Sequence, residues 1–338
     1  MLPRLLFLLF LTPLISAEPF RLKVRASKID PLVKSYPKIG FVLKNGKGNP
    51  QDIQNASVDL KVAPRGRLAI WLMAPNQALF DRINSYGIHA IQVHYARQWF
   101  SRCCQDRPVS PDCRGNLRLE AATGEDHSGE AAIAKRDSIK GRALQFVKHL
   151  AKSHPEGNWA QFLNAAQSDL DWEKVILCGA SHGSTTASRL AKHTKVARVV
   201  AFCGPRDQYQ SWQALSSATP ENRFFGFSHV EDMGWQEFHY QRSWEMLGLH
   251  QFGPIVDVDQ SKPPFQNTRR LVTRFDVKGS AKRAHSSVTP GRNSWKSKSG
   301  KLLHEPVWRY LFTHPVKKTG SAVPSTGAAR KIKPQKAK

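Results

Sequence analysis

The chain has 338 residues, 40% of them hydrophobic, and a formal net charge of +25 at pH 7. That apolar content suffices for one large single-core domain or two small ones. Past the first residues no stretch approaches a bilayer span, which excludes a transmembrane bundle. The basic residues are spread without an aromatic-interleaved reading motif, which argues against a specific nucleic-acid partner.

In chain order, Met1 to Arg4 form a charged start, Leu5 to Ile15 an apolar run too short to cross a bilayer, and Ser16-Ala17 a small-residue cleavage point. This is the pattern of a signal peptide over residues 1–17, so the mature protein is expected to be secreted or periplasmic, with no transmembrane span. Export permits disulfides, but five cysteines cannot all pair internally. Phe20 to Val62 carries turn punctuation at Asn45-Gly46 and Gly48-Asn49-Pro50 and is expected to supply the first antiparallel strands. Asn55-Ala56-Ser57 is a glycosylation sequon.

From there strands and helices alternate. Arg67–Met73 reads as a strand, Gln77–Tyr86 as a helix closed by Gly87, and Ile88–His94 as a second strand. Residues 99–138, rich in Cys, Pro, Gly and charge, read as an insertion or long loop, in which Cys103 or Cys104 would pair with Cys113. Ile139–Lys152 is an amphipathic helix with Ala143, Phe146, Val147 and Leu150 on one face. Strands follow at Lys174–Cys178, Val196–Phe202, Arg223–Phe227 and Arg269–Phe275, with a terminal helix at Pro306–Phe312. Cys178 and Cys203, at two strand ends, read as buried thiols. Residues 316–338 form a basic tail; Lys317 to Lys338 hold seven Lys or Arg and no acid, so the tail is expected to be disordered. Such a tail could hold an anionic polymer, or merely solubilise the protein. Strands alternating with helices imply an α/β class: a three-layer fold with a mostly parallel central sheet and helices on both faces.

One pentapeptide carries the chemistry. Gly179-Ala180-Ser181-His182-Gly183 lies between the strand ending at Cys178 and a helix from Ser184 to Lys192. Strand, G-x-S-x-G, helix is the nucleophile elbow, which exposes a serine hydroxyl at the top of a sheet. A serine needs a histidine to take its proton, and that histidine needs an acid to hold its tautomer. Asp232 follows the Arg223–Phe227 strand, and His285 lies in a basic loop after the Arg269–Phe275 strand. Glu231 and Asp207 are the alternative acids, and His229, His304 and His314 the alternative bases. Trp71, Trp99, Phe100 and Trp235 fall near strand ends, as candidates for a substrate pocket or for plain core. No C-x-x-C or H-E-x-x-H pattern marks a metal site.

The order Ser181, Asp232, His285 and the elbow together resemble the α/β-hydrolase superfamily over roughly residues 55–314, which makes 18–315 the hydrolase domain. Within it the chain is similar to secreted bacterial hydrolases with a Gly-x-Ser-His-Gly elbow and a late Ala-His-Ser-Ser segment. The resemblance implies a cofactor-free serine hydrolase acting on a small-molecule or polymeric ester, with Ser181, His285 and Asp232 as the triad. Acyl transfer on the same triad, and a non-catalytic fold that binds an anionic glycan or envelope polymer, are the alternatives. The oxyanion hole would use the amide of His182 and, because Pro75 has no N–H, that of Asn76 or Gln77.

Overall fold

A computed structural model describes residues 18–327 apart from 208 and 209. The expected signal peptide lies outside the described residues, as does the end of the basic tail.

Nine strands form one sheet among these residues: β1 (Phe20–Arg25), β2 (Ile53–Val58), β3 (Leu68–Trp71), β4 (His89–Gln92), β5 (Val175–Ala180), β6 (Arg198–Phe202), β7 (Phe224–His229), β8 (Ile255–Asp257) and β9 (Arg270–Thr273). Their order across the sheet is β1-β2-β4-β3-β5-β6-β7-β9-β8. β1 pairs antiparallel with β2, and β2 with β4; every other pairing is parallel. Eight α-helices accompany it among the same residues, besides short 3-10 turns: α1 (Ala26–Ile29), α2 (Gln77–Ser85), α3 (Cys113–Thr123), α4 (Ile139–Ser153), α5 (His182–His193), α6 (His239–Met246), α7 (Ala281–Ser287) and α8 (Glu305–Thr313).

The central strands are apolar throughout because both faces of a parallel sheet are covered. In β3, Leu68 and Ile70 enter one core, while Ala69 and Trp71 enter the other. β5 divides the same way, with Val175 and Leu177 against Ile176 and Cys178. α4 closes the first core with Ile139, Ala143, Phe146, Val147 and Leu150, one stripe at helical spacing. It starts where Ser138 Oγ accepts the Gly141 N–H at 3.2 Å. α8 closes the second core with Val307, Trp308, Leu311 and Phe312.

Two expectations need correction, one is refined, and one strand was not foreseen. The insertion at 99–138 is not a bare loop, since it contains α3, which packs against α5. His285 stands on the short helix α7, not in a loop; Ser280 caps it by accepting the Arg283 N–H. The three-residue edge strand β8 gave no apolar run long enough to see. Residues 316–327 of the tail are held in place. Arg269 Nη2 donates to the carbonyls of Val316 at 2.8 Å and Lys318 at 3.0 Å, the Val323 N–H to that of His250, and the Thr326 N–H to Glu245 Oε1. Apolar poverty argues against a core but not against backbone pairing, and these partners come from distant parts of the chain. Of the open cysteine pairings, Cys104 bonds Cys113; Cys103, Cys178 and Cys203 are free and buried.

Candidate active site

The elbow occupies the carboxyl end of β5, the middle of the sheet. Ser181 has φ 53° and ψ −121°, a conformation that disfavours any residue with a Cβ and that persists only where the surroundings enforce it. Its neighbours do so. A Cβ on Gly183 would lie 1.7 Å from the Leu72 carbonyl oxygen, and one on Gly179 would lie 2.4 Å from the Gly183 carbonyl carbon. Strand exit, turn and helix start are therefore in mutual backbone contact. The Ser181 N–H donates to the Phe202 carbonyl at 3.0 Å, and the hydroxyls of Ser184 and Thr185 donate to the Ser181 carbonyl.

Asp232 follows β7 and is buried. Its two carboxylate oxygens divide the work. Oδ1 accepts the Gly234 N–H at 2.8 Å and the Tyr240 hydroxyl at 3.0 Å, which fixes the side chain. Oδ2 is left for His285 Nδ1, at 2.6 Å. Burial alone would raise this carboxyl, but the hydrogen bonds from His285, Gly234 and Tyr240 outweigh it and hold the group below the usual carboxylate range. Ser181 and His285 both open onto one cavity of about 680 Å3. The Cys203 thiol donates to the His285 carbonyl, and burial, with Asp232 beside it, pushes the thiol well above its ordinary range.

Of the alternatives, Asp207 and the three histidines have other partners, and Glu231 is exposed. Asp207 lies beside the elbow but accepts a fork from Arg118, Nε at 2.7 Å and Nη2 at 2.9 Å, and a third bond from Trp212 Nε1 at 2.9 Å. The Glu231 N–H donates to His229 Nδ1, whose Nε2 lies 2.7 Å from the Phe275 carbonyl, so this imidazole ties β7 to the end of β9. His304 lies 3.6 Å from Asp259 on a separate, smaller cavity. His314 stacks on Tyr310 and contacts the Lys318 carbonyl. Asn76 caps α2: its Oδ1 accepts the Leu79 N–H at 3.0 Å and its Nδ2 donates to the Pro290 carbonyl at 2.9 Å. Neither Asn76 nor Gln77 lines the cavity. The chain that lies against the elbow after β3 is Leu72, followed by Met73.

Beneath the elbow is a group the sequence did not signal. Arg118 Nη1 lies 3.2 Å from His182 Nδ1 and donates to Thr186 Oγ1 at 2.9 Å. A guanidinium can only donate, so that imidazole nitrogen is an acceptor and the ring is neutral. Burial, then the charges of Arg118 and Arg97, holds His182 well below the usual histidine range. His182 thus brings a backbone N–H at the start of α5, and its side chain is part of the packing. Of the four aromatics, Phe100 lines the cavity. Trp99 packs edge-on to His182, Trp71 Nε1 donates to the Ala74 carbonyl, and Trp235 Nε1 donates to Ser228 Oγ.

Among the described residues three sets of donor atoms gather within 4.8 Å of one another: Cys203, Asp232 and His285; Glu125, His127 and His193; and Cys104, Cys113 and Glu130, whose two cysteines are joined in a disulfide. The first is the acid–histidine pair with a protonated thiol, a poor metal ligand in that state.

Strand order, the elbow at mid-sheet and the acid and histidine after later strands define the α/β-hydrolase fold. No family model matches the chain, and no curated protein matches it. Among solved structures it is similar to XC6422 of Xanthomonas campestris, an α/β serine hydrolase without a lid, at 11% identity and TM-score 0.32, over 78% of this chain and 86% of that one. It is also similar to an α/β serine hydrolase homologue of Coxiella burnetii, at 12% identity and TM-score 0.28, over 54% of this chain and 72% of that one. A puromycin-hydrolyzing peptidase of Mycobacterium tuberculosis matches at 13% identity and TM-score 0.32, over 68% of this chain and 35% of that one. At these values the fold is carried by this chain's own strand order and elbow.

Proposed function

We propose that the protein is an exported serine hydrolase that cleaves carboxylic esters through Ser181, His285 and Asp232. The observation that carries the reading is the 2.6 Å contact of His285 Nδ1 with a buried carboxylate, on the cavity onto which a strained elbow serine opens. Asp232 holds the proton on Nδ1, which leaves Nε2 as the base. Ser181 Oγ attacks the ester carbonyl carbon while its proton passes to Nε2. The tetrahedral oxyanion is held by the N–H of His182 and by one N–H of the segment after β3, from Met73, which follows Leu72 against the elbow, or from Asn76 or Gln77. The intermediate expels the alcohol, which takes the proton from Nε2, and leaves an acyl-serine. Water repeats the sequence and releases the acid and the free serine. The Cys104–Cys113 bond supports export, since such bonds persist in oxidising compartments.

A fluorophosphonate probe tests the reading. Labelling of Ser181, found by mass spectrometry and lost in His285→Ala, is the expected result. Folded protein that takes no label overturns it.

A further inference from the structure

The cavity is far more cationic than ester cleavage requires. Arg97, Arg114, Arg118, Arg206 and Lys282 line it against a single carboxylate, Asp207, which Arg118 already holds. Arg97 and Arg206 are half-buried and make no side-chain hydrogen bond or ion pair among the described residues. Arg114 is half-buried and stacks on Phe100, 4.8 Å from the ring centroid, with no carboxylate partner among them. Burial lowers the Arg114 guanidinium from its ordinary range; Asp207 opposes this, while Arg118, Arg107 and Arg206 add to it by like-charge repulsion. Cations brought together out of water work against folding unless an anion offsets them. Guanidinium forks suit the paired oxygens of a carboxylate or phosphate.

We propose that the substrate is an ester carrying an oxyanion, a carboxylate on the acyl half or a phosphate on the alcohol half, held by Arg97, Arg114 and Arg206. The inference rests on the hydrolase reading and adds the substrate class. Phe100 and Met233, both exposed at the same cavity, give the uncharged part of the substrate an apolar contact. The site begins beside the N-terminus of α5, whose dipole adds to the field.

Two matched pairs test it: 4-nitrophenyl adipate against 4-nitrophenyl hexanoate, and butyryl glycerol phosphate against monobutyrin. The charged member of at least one pair should have a kcat/KM at least tenfold higher. The responding pair tells whether the anion sits on the acyl or the alcohol half. That ratio should fall about tenfold in Arg206→Gln and Arg97→Gln, recover in part in Arg206→Lys, and stay unchanged in Lys152→Gln on exposed surface. Thermal melts of each variant show that it is folded. No preference in either pair, or a preference that survives both Gln variants, overturns the proposal and leaves the hydrolase reading intact if Ser181 takes the fluorophosphonate. Absence of both label and turnover overturns the hydrolase reading, and the substrate class with it.

Discussion

Asp232→Asn separates catalysis from folding. Asn at this position still offers Oδ1 to the Gly234 N–H and the Tyr240 hydroxyl, so the anchor of the side chain survives. Its amide nitrogen then faces His285 Nδ1, where two donors would meet, and the imidazole must turn over its tautomer and carry its proton on Nε2. A histidine in that state cannot accept from Ser181. The equivalent change in a serine-protease triad costs about 10⁴ in kcat, and a loss of that order is expected here, roughly 5 kcal/mol of transition-state stabilisation. Stability should change by no more than roughly 2 kcal/mol, because the lost charge-assisted bond is offset by the removed desolvation cost and the histidine is partly exposed. The pH profile supplies a further check. A carboxyl held below its unfolded value of about 3.9 contributes stability that is present above that pH and is lost as pH falls through the lower folded value. Asp232→Asn should therefore lose less stability than the wild type as the pH falls below about 4. Ester turnover at saturation and urea melts measure both arms. A variant that keeps more than a tenth of the wild-type kcat, or one that loses activity only because it unfolds, refutes the assignment.

Other consequences follow from buried groups. Arg118→Met and Asp207→Leu each strand a buried charge and should each cost about 3–5 kcal/mol, while the double variant should lie closer to the wild type than either. Single variants within about 1 kcal/mol of the wild type in urea would rule this out. Gly183→Ala must push the elbow off Leu72 and should destabilise by about 3 kcal/mol or more; soluble, fully active protein would contradict the packing described. Lys192 is pulled down to about 8, by burial first and the Arg189 charge, against the opposing pull of Glu221. Its unfolded value is about 10.4, so the unfolded chain binds the extra proton between these values. Stability should then rise across that window, by at most about 1.4 kcal/mol per pH unit, and Lys192→Met should flatten the rise in pH-dependent melts.

Much of the fold was legible in the chain because it is written in local pattern. The apolar runs of β3, β4, β5 and β6 and the stripe of α4 stand out within a few residues of their observed bounds. The elbow was legible for the same reason, since its two glycines answer contacts made within five residues and with the neighbouring strand. The acid was read as Asp232, but Glu231 and Asp207 stayed open beside it, because each of them also follows a sheet strand. Arg118 decides it from within the insertion at 99–138, 89 residues from Asp207, by occupying that carboxylate and leaving Asp232 to His285. The side chain of Asn76 caps α2, a role that leaves its backbone N–H, the group expected at the oxyanion, unaddressed. The placement of residues 316–327 likewise depends on Arg269, Glu245 and His250, none near them in sequence. Periodicity and turn sterics act between neighbours along the chain, so the sequence by itself determined the central strands, the long amphipathic helix α4 and the nucleophile's turn, but not β8, α3 or α7. Which carboxylate meets the histidine, and which arginines crowd the cavity, are matters of who arrives beside whom once the sheet has formed, and only the tertiary structure decided them.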